Sequence, residues 1–263
     1  MPMGFVPPPR PCSEMAPRRP KQRLDLLLVQ RGLATSAKRA QALILAGQVV
    51  VGDQRSDKPG TLISTDAEVR VRGESSRYVS RGGLKLERAL AEFKLRVSGL
   101  ICADIGASTG GFTDCLLQAG AAKVYAIDVG YGQLHQRLRT DARVILRERV
   151  NARYLSNQDL PEEVDLMAID VSFISLKNIV PAALARLRSG GVLVALVKPQ
   201  FEVGRKRVGA GGVVRDPAAR AESIEGIQSF LRQQGLELLG ATDSPVPGPA
   251  GNVEALVAAR KGD

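Results

Sequence analysis

Between residues 100 and 197 the chain repeats one pattern four times: an apolar run of six or seven residues, then a polar or glycine-rich turn. The runs fall at 100–105, 123–128, 164–170 and 192–197, with helical patterning near 110–119, 175–187 and 217–234. Continuous apolar runs, rather than alternating ones, mark strands covered on both faces. Alternated with helices, they predict an α/β fold built on a parallel, Rossmann-like sheet. Two closing strands, 236–241 and 252–259, have no helix between them, so a hairpin should insert one antiparallel strand. Composition constrains less: 44% hydrophobic residues exclude only wholesale disorder. No window approaches the roughly 18 apolar residues of a membrane helix.

The first strand runs into Asp104-Ile105-Gly106-Ala107-Ser108-Thr109-Gly110-Gly111-Phe112, and the second ends in Asp128. Glycines in a strand-to-helix turn let backbone approach a ligand closely. A carboxylate ending the next strand is placed to bind ribose hydroxyls. The dinucleotide fingerprint Gly-x-Gly-x-x-Gly is broken here, because Ser108 stands at its second glycine. An acidic residue before the loop is the habit of S-adenosylmethionine enzymes, as is the closing hairpin. S-adenosylmethionine is therefore the expected cofactor, with residues 104, 106–112 and 128 as its contacts. Asn151, just after 147–150, is a candidate adenine contact.

Charge divides the chain. Residues 1–98 hold 18 Lys and Arg against 9 Asp and Glu, whereas the remainder is close to neutral, giving +10 in all. A basic front end suggests a polyanion partner. Residues 1–22, with seven of the fifteen prolines, are expected to be a disordered basic tail rather than an export signal. A short helix from Leu24 should stop near Gly32, and a second, 37–45, should be capped by Thr35 or Ser36 and ended by Gly47. Strands at 49–51 and 67–71, a turn at Gly52-Asp53 and a loop at 58–60 complete a small α+β unit. Its pattern resembles the RNA-binding module named after ribosomal protein S-four. Arg23, Lys38, Arg39 and Lys58 are its candidate RNA contacts. The expected division is tail 1–22, RNA-binding domain 23–72, polar linker 73–83 followed by a helix at 84–93, and catalytic domain 84–263.

Chemistry must proceed almost without imidazole, since His135 is the single histidine. Cys12, Cys102 and Cys115 show no metal-ligand spacing, and an odd count argues for a reducing cytoplasm over a disulfide framework. Methyl transfer to a hydroxyl needs positioning and a proton acceptor, and here the natural base is a lysine. Lys198 and Asp170 each terminate an apolar strand at the edge where α/β ligands bind. Read singly, Lys85 is a helix lysine and Glu254 a carboxylate within the 252–259 strand.

Together, four residues and seven segments resemble the TlyA-type ribosomal RNA 2′-O-methyltransferases, a family also known by the name hemolysin, whose catalytic domain is FtsJ-like. The segments are Ser80–Leu86, Asp104–Asp114, Ala126–Leu134, Asp170–Ser175, Lys198–Glu202, Gly212–Asp216 and Gly251–Glu254. The resemblance spans roughly 23–260. It implies a Lys-Asp-Lys-Glu tetrad at Lys85, Asp170, Lys198 and Glu254, with Lys198 as base, Asp170 orienting it, and Lys85 and Glu254 holding the ribose. It also implies cytidine 2′-hydroxyls as substrate, in large-subunit and, for some members, small-subunit RNA. Arg77-Tyr78-Val79 departs from a tryptophan-containing segment of some members. Arg205, Lys206 and Arg207 lie in a glycine-flanked loop beside the site and are candidate phosphate contacts, and Tyr131, Phe173 and Phe201 are candidates for base stacking. No metal, no membrane and a monomer are expected. The alternatives are a non-catalytic RNA-binding assembly factor and a lytic protein.

Overall fold

The computed structural model describes residues 20–34, 36–52, 54–71 and 77–262. Thr35, Asp53, Cys12, linker residues 73–76 and nearly all of the tail lie outside the described residues. The chain separates into two compact units between Ser75 and Ser76.

The first unit contains β1 (Lys21–Arg23), α1 (Leu24–Gln30), α2 (Ala37–Leu45), β2 (Val49–Val51), β3 (Gln54–Ser56), β4 (Leu62–Ser64) and β5 (Val69–Val71). Ser36 caps α2 by accepting the Arg39 backbone N–H at 3.2 Å. Leu24, Leu27 and Leu28 of α1 pack on Ala40, Leu43 and Ile44 of α2 and on Val49 and Val69. Strand β1 pairs with β4, while β2 pairs with β3 and β5, all antiparallel. Polar β1 and β3 have no hydrophobic pattern, so sequence reading assigns Arg23 to a helix start and misses both strands. The expected strand 67–71 is shorter, beginning at Val69.

The second unit opens with α3 (Gly82–Glu92), which starts two residues inside the segment read as linker. It continues through β6 (Ile101–Ile105), α4 (Gly111–Gln118), β7 (Lys123–Asp128), α5 (Gln136–Arg139), β8 (Val144–Glu148), β9 (Val164–Ile169), α6 (Val180–Leu184) and β10 (Leu187–Val197). Last come α7 (Pro199–Glu202), α8 (Pro217–Gln233), β11 (Leu236–Asp243) and β12 (Ala255–Lys261). Seven strands form one sheet in the order β11-β12-β10-β9-β6-β7-β8. All neighbours from β10 to β8 pair in parallel, and β12 runs antiparallel to both β10 and β11, as the closing hairpin predicts.

Alternate residues of each central strand enter two separate cores. Ile105, Ile127, Ile169 and Val197 face α6 and α8, whereas Cys102, Ala126, Ala168 and Leu196 face α3 and α4. That is why the strands read as unbroken apolar runs. The expected helix 175–187 is instead a 3₁₀ turn, Leu176–Asn178, followed by the five residues of α6. Strand β8, half-buried at the sheet edge, was hidden by its Arg147 and Glu148.

Candidate active site

Sheet register brings the functional side chains to one edge. Ile105 pairs with Ile127 and Ile169, Ala195 with Ile169, and Val197 with Ala255. The residues just beyond β6, β9 and β10 and the last residue of β7 therefore share the carboxyl edge with the residue just before the reversed β12. Those positions are Gly106, the Asp128 carboxylate, Asp170, Lys198 and Glu254. Glu254 precedes its strand rather than lying within it. In open α/β sheets this edge, near the change of strand order, is where ligands bind.

Two ion pairs form there. Lys85 Nζ lies 2.5 Å from Glu254 Oε2, and both residues are buried, Glu254 completely. Lys198 Nζ lies 2.6 Å from Asp170 Oδ1 and donates to Ser172 Oγ at 2.8 Å. Lys85 reaches the edge because α3 and α4 meet glycine to glycine. A Cβ on Gly111 would sit 2.9 Å from the Gly83 nitrogen and 3.1 Å from the Gly82 Cα. The lysine that reads as a helix-surface residue is thus pressed into the sheet edge.

A cavity of about 480 Å³ is lined by Lys85, Asp104, Asp170, Ser172, Lys198 and Glu254, together with Gly106–Thr109, Gly111 and Phe112. A second, of about 390 Å³, is lined by Asp128, Gln133 and Asn151 and by the apolar Ile127, Val129, Val150, Ile174 and Ile179. The two share Gly106, Ser108, Asp170, Ser172 and Phe173. Gly110 lies behind the loop, its left-handed backbone (φ 96°) packed where a Cβ would meet Leu134 at 2.8 Å.

The residues fit an adenosyl cofactor. Gly106 holds φ 87°, and a Cβ there would approach the Asp170 carbonyl carbon to 2.9 Å, so only glycine fits. Asp128 accepts the Ser108 and Gly130 N–H groups at 2.7 and 2.6 Å, which fixes a carboxylate beside the apolar slot. Asp104 Oδ2 accepts Thr113 N and Oγ1 at 2.8 and 2.6 Å, while its Oδ1 has no hydrogen-bond partner among the described residues. Burial pushes this carboxyl up to about 7, against the opposing Thr113 bonds. Asn151 is exposed and caps a 3₁₀ turn through the Arg153 N–H. Burial raises both described thiols, Cys102 and Cys115, to about 12, so neither is a nucleophile at neutral pH. Among the described residues no group of three or more His, Cys, Asp or Glu is placed to hold a metal ion.

Sequence reasoning missed Ser172, Gln200 and Asn252. Asn252 is buried; it accepts the Val214 N–H at 2.9 Å and donates to the Gly212 carbonyl at 2.8 Å, seating the glycine-rich loop beside Glu254. Its neighbours in the Gly251–Glu254 segment were the available signal. Phe173 is 91% exposed, hence not core, and its ring lies 5.3 Å from that of Phe201. Tyr131 is exposed under the Arg149 guanidinium.

The basic candidates are spread over both units. In the first, Lys38, Arg39 and Lys58 are exposed, and Arg23 makes a two-point pair with Asp25, which holds that carboxyl at about 2. In the second, Arg205, Lys206 and Arg207 form an exposed 3₁₀ turn. Arg207 is matched by Asp216 and Glu222, whereas Arg205 and Lys206 have no acidic partner among the described residues.

Residues 78–261 match the FtsJ-like methyltransferase family and residues 22–69 the S4 domain. The 16S/23S rRNA (cytidine-2′-O)-methyltransferase TlyA of Mycobacterium tuberculosis is 47% identical over 89% of this chain and 88% of its own length. The 23S rRNA (cytidine-2′-O)-methyltransferase TlyA of Campylobacter jejuni subsp. jejuni is 37% identical over 67% of this chain and 68% of its own. A solved structure from Streptococcus thermophilus that bears the name hemolysin aligns with TM-score 0.72 at 46% identity, covering 94% of this chain and 90% of that one. With the match spanning nearly all of the second unit, and the fold and edge geometry in agreement, the chain belongs to the FtsJ-like methyltransferase family and carries an S4 domain ahead of the catalytic sheet.

Proposed function

We propose that this protein methylates the 2′-hydroxyl of a cytidine in ribosomal RNA, using S-adenosylmethionine. The observation that carries the reading is the convergence of Lys85–Glu254 and Lys198–Asp170 on one cavity adjoining the Asp128 slot. Asp128 would hold the cofactor's ribose, the 106–112 turn its amino-acid end, and Asn151 with the apolar slot its base. Bound there, S-adenosylmethionine supplies an electrophilic methyl on positively charged sulfur.

Lys198 in its neutral form takes the proton of the attacking 2′-hydroxyl, and the Asp170 carboxylate balances the ammonium charge that results. Lys85 and Glu254, held against each other away from water, present a donor and an acceptor to the ribose. Removing either alone would leave a buried charge, which ties the two functionally. Lys38, Arg39 and Lys58, with Arg23, supply phosphate contacts from the S4 domain; Arg205 and Lys206 supply them beside the site. A ribosomal substrate puts the enzyme in the cytoplasm. No described helix is long and apolar enough to cross a membrane.

Lys198→Ala should bind S-adenosylmethionine normally and transfer no methyl group to large- or small-subunit rRNA. Wild-type transfer by that variant would overturn the assignment. Mapping 2′-O-methyl cytidines in cells with and without the protein identifies the nucleotide and the subunit.

A further inference from the structure

Lys198 follows β10 directly, and the next four residues, α7, fold back toward the segment that follows β9. Three contacts join these two corners in order. Lys198 Nζ donates to Ser172 Oγ at 2.8 Å, the Phe201 and Phe173 rings meet at 5.3 Å, and Glu202 receives both Ser175 Oγ at 2.6 Å and the Leu176 N–H at 2.8 Å. Between the first and last contacts, Phe173 holds φ 66°, a left-handed conformation that a bulky side chain rarely adopts. Such a conformation persists only where its surroundings impose it, and such places cluster at functional sites.

We infer that Ser172 is the second anchor of Lys198 and that Glu202 is a positioning residue acting through Ser172. The inference rests on the reading of Lys198 as proton acceptor. Asp170 Oδ1 lies 2.6 Å from the lysine nitrogen as a charge contact without hydrogen-bond geometry, so the directed hydrogen bond that Lys198 makes among the described residues is the one to Ser172 Oγ. That bond leaves the other tetrahedral positions of the nitrogen for the substrate hydroxyl in the cavity that Lys198 lines. With Asp170 alone the nitrogen pivots about a single contact and the acceptor direction is lost. Ser172 sits on an exposed turn, and the Glu202 carboxylate, by holding both groups at the far end of that turn, keeps the hydroxyl within reach.

Single-turnover methyl transfer to rRNA by the full-length protein tests this with Ser172→Ala, Ser172→Thr, Glu202→Ala, Glu202→Gln and the double alanine variant. Each alanine variant should slow transfer by about tenfold or more while leaving the KM for RNA and the affinity for S-adenosylmethionine within about twofold. Ser172→Thr retains the hydroxyl and Glu202→Gln retains an acceptor for the Leu176 N–H, so both should stay within about threefold of wild type. Because Glu202 acts through Ser172, the double variant should be no slower than the slower single one. A wild-type rate in Ser172→Ala, multiplying losses in the double variant, or failure of both conservative variants overturns the inference. A wild-type rate in Lys198→Ala overturns the proton-acceptor reading itself; an inactive Lys198→Ala beside a fully active Ser172→Ala overturns only the anchor.

Discussion

Replacing Asp104 by asparagine should make the fold less sensitive to alkaline pH. The carboxyl is fully buried at the head of the cofactor turn, and burial raises it from 3.8 to about 7. Below pH 3.8 the group is protonated in folded and unfolded chains alike. Between 3.8 and about 7 the unfolded chain gives up the proton while the folded one keeps it, so stability falls as pH rises. Above about 7 both states are ionised and the fold carries the full penalty, roughly 4 kcal/mol at about 1.4 kcal/mol per tenfold. Roughly 2–3 kcal/mol of that falls between pH 5 and pH 8. Asparagine keeps the acceptor for Thr113 and does not titrate, so whatever its amide costs is the same at both pH values. Urea unfolding of both proteins at pH 5 and pH 8, followed by far-ultraviolet circular dichroism, reads the difference between them, in which titration of the other carboxylates cancels. The variant should gain about 2–3 kcal/mol on wild type across that interval. A difference between the two proteins that does not change with pH refutes the reasoning.

The buried pair makes a second prediction. Glu254→Ala strands the Lys85 ammonium and should cost about 3–5 kcal/mol in urea unfolding, whereas a Lys85→Met/Glu254→Leu double variant should recover most of that and still transfer no methyl. In the S4 domain, joint Arg39→Ala and Lys58→Ala substitution should weaken RNA binding and reduce the salt slope by about 1–2, measured by filter binding across salt concentrations. Calorimetric affinity for S-adenosylmethionine should be unchanged by it, and an unaltered salt slope would remove both residues from the interface.

How much could be read in advance depended on which interaction dictates each residue. Strands buried on both faces leave an unmistakable trace, so β6, β7, β9 and β10 were legible from Ile105, Ile127, Ile169 and Val197 together with their neighbours. The antiparallel β12 was legible because no helix fits between 243 and 255. By contrast Lys21–Arg23 and Gln54–Ser56 are strands only because a partner supplies hydrogen bonds, and nothing in KQR or QRS shows it. The segment 175–187 carried helical periodicity that tertiary packing overrode, since β10 begins at Leu187 and leaves room for only five helical residues.

Site residues divide along the same line. Asp104, Gly106 and Asp128 are marked by position relative to a strand end, which sequence displays directly. Lys85 and Glu254 are not, because a lysine on a helix and a carboxylate beside a strand are ordinary until they are known to face each other. Direction decides that. Asp170 and Lys198 follow their strands, whereas Glu254 precedes β12, and it reaches the same edge only because β12 runs against the other strands. Were the last strand parallel, residue 254 would lie at the opposite edge of the sheet, roughly 20 Å away for a six-residue pairing. The reversed strand therefore does more than close the sheet: it delivers the carboxylate that lets Lys85 be buried. That dependence is invisible to local pattern, which is why Ser172, whose partner Lys198 follows another strand, escaped it too, as did Asn252, whose partners Gly212 and Val214 lie in a loop some forty residues earlier.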